Sequence, residues 1–509
     1  MNIATSMLAA HALASSLVAG PRLDSPVLAT IQYSTLTIPG SGFGSPGPES
    51  DILARLGRHR VRIPSTSDLV VSWEDSKIVI STDGFEESGS ISVRTPEGRS
   101  RFARVLVYQY DWFDIPPTPG ANPLPLAIEA DARGEIWVNQ EFHLAFQHLD
   151  PVTGVVTGLV PPRPPNPGPF ATTLFLDHRT QLSVLGEDVL VDPLGRVCFS
   201  QGGGYLYFFQ YPNHSRVVCY DPHAEPGAEW RAYNMPGDWN EIIGLAWDEG
   251  RGRIWVAQGG LVAGPALISF DPERIPFDNH FDFSTPLLDQ ICEEGEATDD
   301  CFQVHRLPST SRQPAHLLVD DCGRVWYTAY WGNRIGVLHP ETGQVIEYPL
   351  PAPIGSSDPV RVVGSGPWEM VEAPNGDIIF SEFFDSTISR FRASRRLDPA
   401  CRSLDGEGRN PCITEWVVPD ADLRNQQVHS IAYDLEGRLW FGQTAVVEGD
   451  TSLGFVTANW KHVVRLPNLN DFPANAIADS AGIAVDPTTG DIYFCEFKRK
   501  RIGRLRRVQ

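Results

Sequence analysis

The sequence predicts an all-β protein built of repeated four-stranded units, and three observations carry that prediction. A short cassette returns seven times: a small turn closed by Gly, one charged residue, then a strand opening on an aliphatic side chain. It reads Gly134-Glu135-Ile136-Trp137, Gly195-Arg196-Val197-Cys198, Gly252-Arg253-Ile254-Trp255, Gly323-Arg324-Val325-Trp326, Gly376-Asp377-Ile378-Ile379, Gly437-Arg438-Leu439-Trp440 and Gly490-Asp491-Ile492-Tyr493. The fourth residues lie 61, 57, 71, 53, 61 and 53 apart. The 509 residues also include 45 Gly and 43 Pro with 10% aromatics, the mix of short strands and tight turns. Finally, one repeat shows all four strands in order, at Leu317–Asp320, Arg324–Thr328, Arg334–Leu338 and Gln344–Pro349. Such a unit cannot bury its apolar face alone and must stack on its neighbours, which is the logic of a seven-bladed β-propeller.

The elements follow in chain order. Residues 8–19 are a short, weakly apolar run with no Lys or Arg before it, so 1–26 reads as a signal peptide or a disordered leader. The run is too short and polar to cross a bilayer, and no later segment suits a membrane helix. Residues 27–110 escape the repeat. Their alternating β-branched runs, such as Lys77-Ile78-Val79-Ile80-Ser81, predict a small immunoglobulin-like β-sandwich. The propeller occupies 111–509. Its last repeat stops after a third strand, and Trp112–Pro116 looks like a fourth strand, so pairing of about 112–116 with about 501–507 is expected to close the ring. An insertion between Phe270 and Leu307 holds six carboxylates in twelve residues. It reads as a solvated acidic loop, with calcium binding as the sharper alternative. The basic run Lys498–Arg501 with Arg504, Arg506 and Arg507 reads as one polar turn and face, with an acidic partner as the alternative.

Charge and cysteines bound the function. A net charge of -22 argues against nucleic acid, whose phosphates need a basic face. The eight cysteines suggest an oxidising location: secreted, periplasmic or cell-surface. Cys292 with Cys301 and Cys401 with Cys412 would staple loops, while Cys198 and Cys219 fall in neighbouring strands of one blade. No spacing matches a zinc knuckle, and no glycine signature supports a redox cofactor.

In a four-stranded blade the first strand lies nearest the axis, so its start and the end of the second strand gather around one mouth. The second-strand ends read Gln140, Gln201, Gln258, Ala329, Glu382, Gln443 and Glu496. The first strands open on Asp188, His316, Glu369 and His429. One reading has the Gln and Glu side chains tying neighbouring blades together. The other is a polar pocket. There His429, Glu369 and His316 would do acid–base work, and Glu382, Glu496 and Glu369 would hold a divalent cation such as magnesium or calcium. Gln140, Gln201, Gln258, Gln443, Gln427 and Trp368 would meet a ligand. Trp368, Phe383 and Phe384 offer an apolar wall for an aromatic or peptide-like substrate.

Two resemblances add to this. The segment 36–44, with its Gly-x-Gly-Phe-Gly turn, and the segment 88–98 resemble the immunoglobulin-like IPT/TIG domain, which implies adhesion or spacing. The stretches Trp326–Gly336, Val345–Pro351, Phe380–Phe383 and Cys495–Arg504 resemble the virginiamycin B (streptogramin) lyase family of seven-bladed propellers. That resemblance implies elimination: a His base opens the ester of a cyclic depsipeptide while Glu and a second His hold magnesium. His429 matches the family's His. Gln427 and Gln443 stand where its two acids belong, and Trp368 where its second His belongs, so the metal site is broken at this blade. Metal-dependent sugar-lactonase propellers are a second analogue, through Glu382, Glu496 and His429. The expectation is an exported propeller that binds a small-molecule, peptide or protein ligand at its axial face. The alternatives are a divalent-metal lyase or lactone- and ester-cleaving enzyme, and an extracellular scaffold.

Overall fold

In a computed structural model, the structure describes residues 20–508 apart from 118–123, 141–144, 162–183, 186–187, 204–214, 236–240, 260–263, 275–301, 352–364, 385, 419–425, 446–451, 468–479 and 498. The leader run at 8–19, the acidic insertion and the Cys292–Cys301 pair therefore lie outside the described residues. The chain divides into two compact units, Met1–Tyr108 with Val508–Gln509 and Gln109–Arg507.

The first unit is an immunoglobulin-like β-sandwich. One sheet orders Arg22–Leu23, Thr35–Ser41, Lys77–Ser81 and Val70–Trp73. The other pairs Val27–Ile31 in parallel with Arg104–Tyr108, then continues through Gly89–Thr95, Asp51–Leu56 and His59–Pro64. Period-two alternation sends Leu36, Ile38, Ile78 and Ile80 of one sheet against Ile52, Ile91, Val93 and Val105 of the other. Each such fully buried side chain contributes about 1.5–3 kcal/mol relative to exposure. Phe43, from the Gly-rich turn, is wholly buried here, and the Trp73 indole N–H donates to its carbonyl at 3.2 Å.

The second unit is a propeller with seven blades among the described residues. Their inner strands are Pro125–Ala130, Val189–Val191, Glu241–Asp248, Pro314–Val319, Pro367–Glu372, Gln426–Tyr433 and Ser480–Val485, numbered here as blades 1 to 7. Each inner strand pairs antiparallel with a second strand that carries the Gly cassette. Apolar layers join successive blades: Trp326 and Val337 of blade 4, for example, pack with Ile378 and Phe380 of blade 5. Ile128 and Val138 of blade 1 pack with Ala484 and Tyr493 of blade 7, so the layers close on themselves. In blade 7, strand Ala103–Asp114 lies beside the third strand Arg501–Val508.

The cassette has a local cause. Asp320 ends an inner strand, and one of its oxygens accepts the N–H groups of Cys322 and Arg324, both at 3.0 Å. Its other oxygen accepts Arg324 Nε at 2.6 Å and Trp326 Nε1 at 2.7 Å. Asp434, Arg438 and Trp440 repeat the arrangement. Gly323 and Gly437 sit at φ 71° and 73°, a left-handed turn that suits glycine.

Two cysteine pairs are bonded, Cys198–Cys219 across neighbouring strands of blade 2 and Cys401–Cys412 across an excursion of blade 5. The basic run of blade 7 does not form an open positive face: Arg501 meets Asp114 at 3.0 Å, Arg504 meets Asp111 at 2.6 Å, and Arg507 pairs with Glu436. Among the described residues, no helix is long and apolar enough to cross a membrane.

Candidate functional site

One irregularity recurs in the inner strands and builds the site. In six blades two inner-strand residues face a single residue of the second strand, a β-bulge at the same level each time. The pairs are Leu126–Ala127, Ile243–Gly244, Ala315–His316, Trp368–Glu369, His429–Ser430 and Ala481–Gly482. A bulge turns a side chain out of the regular pleat, and here it turns one toward the axis. Hydroxyls on the second strands hold the bulges. Thr328 Oγ1 accepts the His316 N–H at 2.9 Å and donates to the Trp368 carbonyl of the next blade at 2.8 Å. Ser381 Oγ does the same for the Glu369 N–H and the His429 carbonyl, at 3.1 and 3.3 Å. In blade 2, Ser200 Oγ accepts the Asp188 N–H at 3.0 Å.

The bulges surround a cavity of about 260 Å³ on the axis. Five ionisable residues line it, each from a different blade: Glu129, Asp188, His316, Glu369 and His429. Trp368 forms part of its wall, with ring centroids 5.6 Å from His316 and 5.5 Å from His429. Phe383 lies 5.5 Å from His429 and 6.0 Å from Trp368, and Tyr330 lies 5.1 Å from Trp368. Where an axial side chain is missing, the neighbouring blade fills its place. A Cβ on Gly244 would stand 2.2 Å from the Ala315 carbonyl, and one on Gly482 would stand 2.6 Å from the Leu126 carbonyl.

Two of the carboxyls also clamp blades together. Asp188 accepts the Val189 and Leu245 N–H groups at 2.8 and 2.7 Å, and Glu369 accepts the Ile431 N–H at 3.1 Å. Ser430 occupies the equivalent position in blade 6 and accepts the Ile483 N–H at 3.0 Å. Glu129 makes no such clamp among the described residues; it lies deeper along its strand and is exposed to the solvent of the cavity.

Enclosure sets the charge states. Although Glu129 faces cavity solvent, desolvation by the surrounding walls pushes its carboxyl up to about 8, with Asp188 adding to the rise, and burial pushes Asp188 to about 7 against its two backbone bonds. Glu369 rises to about 8, again chiefly by burial, with Asp188 and Glu129 contributing. Burial lowers His316 to about 3, helped by His429, and lowers His429 to about 4. Both imidazoles are thus neutral at pH 7, while the three acids are partly protonated. His429 Nδ1 lies 2.7 Å from the Ala481 carbonyl, which only accepts, so Nδ1 carries the proton and Nε2 keeps its lone pair.

The expected residues therefore separate. His316, His429, Glu369 and Trp368 line the cavity together, as does Asp188. The second-strand ends do not: Gln140, Gln201, Gln258, Glu382, Gln443 and Glu496 are at most 1% exposed and lie among the blades. Gln140 Nε2 donates to the Ala145 carbonyl at 2.8 Å, and Gln201 accepts Arg216 Nε at 2.6 Å. Ser389 donates to Glu382, and Tyr110 donates to Glu496, which also faces the Arg499 guanidinium at 3.8 Å. Gln427 is half-buried, opposite Thr444, and does not line the cavity. Glu129 was not among the expected residues. Its signal in the sequence is a lone charge inside Leu126-Ala127-Ile128-Glu129, a stretch that otherwise reads as inner strand.

The donor set does not fit a bare divalent cation. Among the described residues, three ligand atoms of His, Cys, Asp or Glu come within 4.8 Å of one another only at Asp398, Cys401 and Cys412, where the two sulfurs are bonded to each other. The axial donors are spread around the cavity, and all three carboxyls already accept backbone N–H groups. The arrangement can enclose a small polyatomic molecule, accept its protons and present an aromatic face.

No family model and no curated protein matches the chain. Solved structures do. A streptogramin B lyase structure superposes with a TM-score of 0.51 at 17% identity, covering 79% of this chain and 98% of that one. A catalytically inactive virginiamycin B lyase from Staphylococcus aureus, solved with quinupristin, gives 0.49 at 18% identity over 78% and 99%. The selenomethionine form of the S. aureus enzyme gives 0.49 at 16% over 78% and 99%. At these identities, what the first of these shares with this chain is the β-propeller fold.

Proposed function

We propose that the propeller binds a small molecule inside its axial cavity. The observation that supports this most is the convergence of five ionisable side chains, from five blades, on one cavity beside Trp368. A ring that needed only cohesion would gain little from Glu129 or His316, since uncompensated polar groups there cost stability. The volume, at the low end for ligand sites, points to a small guest.

A second reading, an ester- or lactone-opening enzyme of the streptogramin lyase-like type, is favoured by His429. Its Nδ1 is anchored on Ala481, its Nε2 is free to take a proton, and enclosure keeps it neutral. Gln427 and Gln443 in place of the family's acids, and the spread of the carboxyls, weigh against magnesium in this role. The two disulfides support an oxidising location such as the cell exterior or periplasm. The sandwich is read as an IPT/TIG-like spacing or attachment module, on the strength of its buried Phe43 turn.

A ligand-observed NMR screen of mixed small molecules tests the binding reading, with Trp368→Ala and His429→Ala as controls. Hits lost in both variants, whose melting temperatures stay close to that of the parent, support it. An empty screen, or hits indifferent to both changes, would overturn it.

A further inference from the structure

We infer that the axial cavity selects a small organic ammonium ion bearing a hydroxyl group, of the amino-alcohol or amino-sugar class. The inference rests on the cavity being a ligand site, and it names what that ligand must be. The titratable groups facing the cavity are Glu129, Asp188, His316, Glu369 and His429, and no Lys or Arg is among its lining residues. An ammonium ion meets three carboxyls there and no competing cation. Neutral His429 adds an acceptor, because Nδ1 is held by Ala481 and Nε2 makes no hydrogen bond among the described residues.

Trp368 supplies the independent half of the argument. It is 9% exposed and lines the cavity, with its ring beside both imidazoles. The open acceptor at His429 Nε2 calls for a second donor on the guest, which a hydroxyl provides and a simple alkylamine held by the carboxyls lacks. The indole face beside it suits a cation. The spacing of the donors decides between kinds of cation. A bare metal ion needs ligand atoms drawn together, whereas a polyatomic ammonium reaches separated carboxyls through several N–H bonds.

Binding carries a proton balance. An ammonium guest stabilises the ionised carboxyls, so a proton held by the Glu129, Asp188 and Glu369 set leaves for solvent as the guest enters. No bond of the guest is made or broken.

Titration calorimetry of the full chain tests this with matched pairs: glucosamine against glucose, and ethanolamine against ethylene glycol, with magnesium chloride and calcium chloride alone as further probes. The expected result is binding by an amine and not by its neutral partner. Its apparent heat should change with the ionisation enthalpy of the buffer, and for ethanolamine, which stays an ammonium ion throughout, the affinity should rise between pH 6 and pH 8.5. Glu129→Gln should weaken it about tenfold or more, the scale of one lost charge-assisted contact. Glu129 is the informative position because it clamps no neighbouring blade, and an unchanged melting temperature at pH 5 checks its fold. Binding of the neutral partners with His429 dependence but no preference for amines overturns this inference and leaves the ligand-site reading standing. Binding of magnesium or calcium alone, lost in Glu129→Gln, overturns it in favour of a metal. No binding by any probe overturns it as well, and the broader NMR screen then decides the ligand-site reading separately.

Discussion

Two rings of polar residues circle the same axis, and they differ in what surrounds them. The second-strand ring of Gln140, Gln201, Gln258, Glu382, Gln443 and Glu496 is buried among the blades, where its amides and carboxyls meet protein groups. The inner-strand ring of Asp188, His316, Glu369 and His429 opens onto a cavity, the last three from bulges. Residue type does not separate them, since both hold carboxylates. Position does: the second-strand ends stay in the ladder between blades, while the inner strands lie nearest the axis and, at His316, Glu369 and His429, a bulge turns the side chain toward it. The outer ring serves cohesion alone, whereas Asp188 and Glu369 of the inner ring combine a blade clamp with a place on the cavity wall.

The sharpest way to break this contrast is to remove one carboxylate from each ring. Glu496→Ala strands the nearly buried Arg499 guanidinium and the Tyr110 hydroxyl, and should cost about 3–5 kcal/mol in denaturant unfolding. Glu369→Ala loses one backbone clamp, with cavity solvent at hand, and should cost about 1–2 kcal/mol. Equal costs would erase the distinction. Ser381→Ala tests the support between the rings. It removes the acceptor of the Glu369 N–H and a donor to the His429 carbonyl, and should cost about 1–3 kcal/mol in the same assay.

How legible this was from the residues depends on the scale. The Gly cassette locates all seven second strands because its turn is local, in three blades tied by an Asp that accepts the Trp indole N–H, and local chemistry is visible in sequence. The cysteine pairs 198–219 and 401–412 are legible for the same reason, being close in the chain or opposite in one blade. That His316, His429, Glu369 and Trp368 share one space follows from their common place at the start of inner strands. Glu382 and Glu496 sit equally near the axis in sequence terms, yet the unbroken pairing of Glu382 with Thr387 and of Glu496 with Arg501 keeps them in the ladder. A bulge of one residue has no signature of its own, so the sorting of the two rings was not readable. Glu129 escaped notice because depth along a strand is set by blade packing.

The smaller predictions sharpen the inner ring. Raised carboxyls hold protons in the fold that the unfolded chain has released. Their stabilising contribution is full below about 4.5 and is lost as pH climbs to about 8. The lowered histidines act oppositely, and their contribution is complete above about 6.5. Between pH 6.5 and 8.5 only the carboxyls titrate, so the melting temperature should fall across that window, and less steeply in Glu129→Gln. A flat profile in the parent would remove the acids from the enclosed ring. Gln427→Ala should change stability by no more than about 0.5 kcal/mol and leave the cavity as it is, which a parallel melt can check.

Blade 7 carries a consequence for how the chain is made. Asp111 and its partner Arg504 are separated by 393 residues, yet they join adjacent strands of a single blade. During synthesis the earlier strand emerges with its edge unmatched and stays so while six blades are assembled behind it. Strands in that state are open to pairing with other chains. The aspartates at 111 and 114 mark that waiting edge with negative charge, which repels a second copy of itself and is neutralised when the arginines of the final strand arrive.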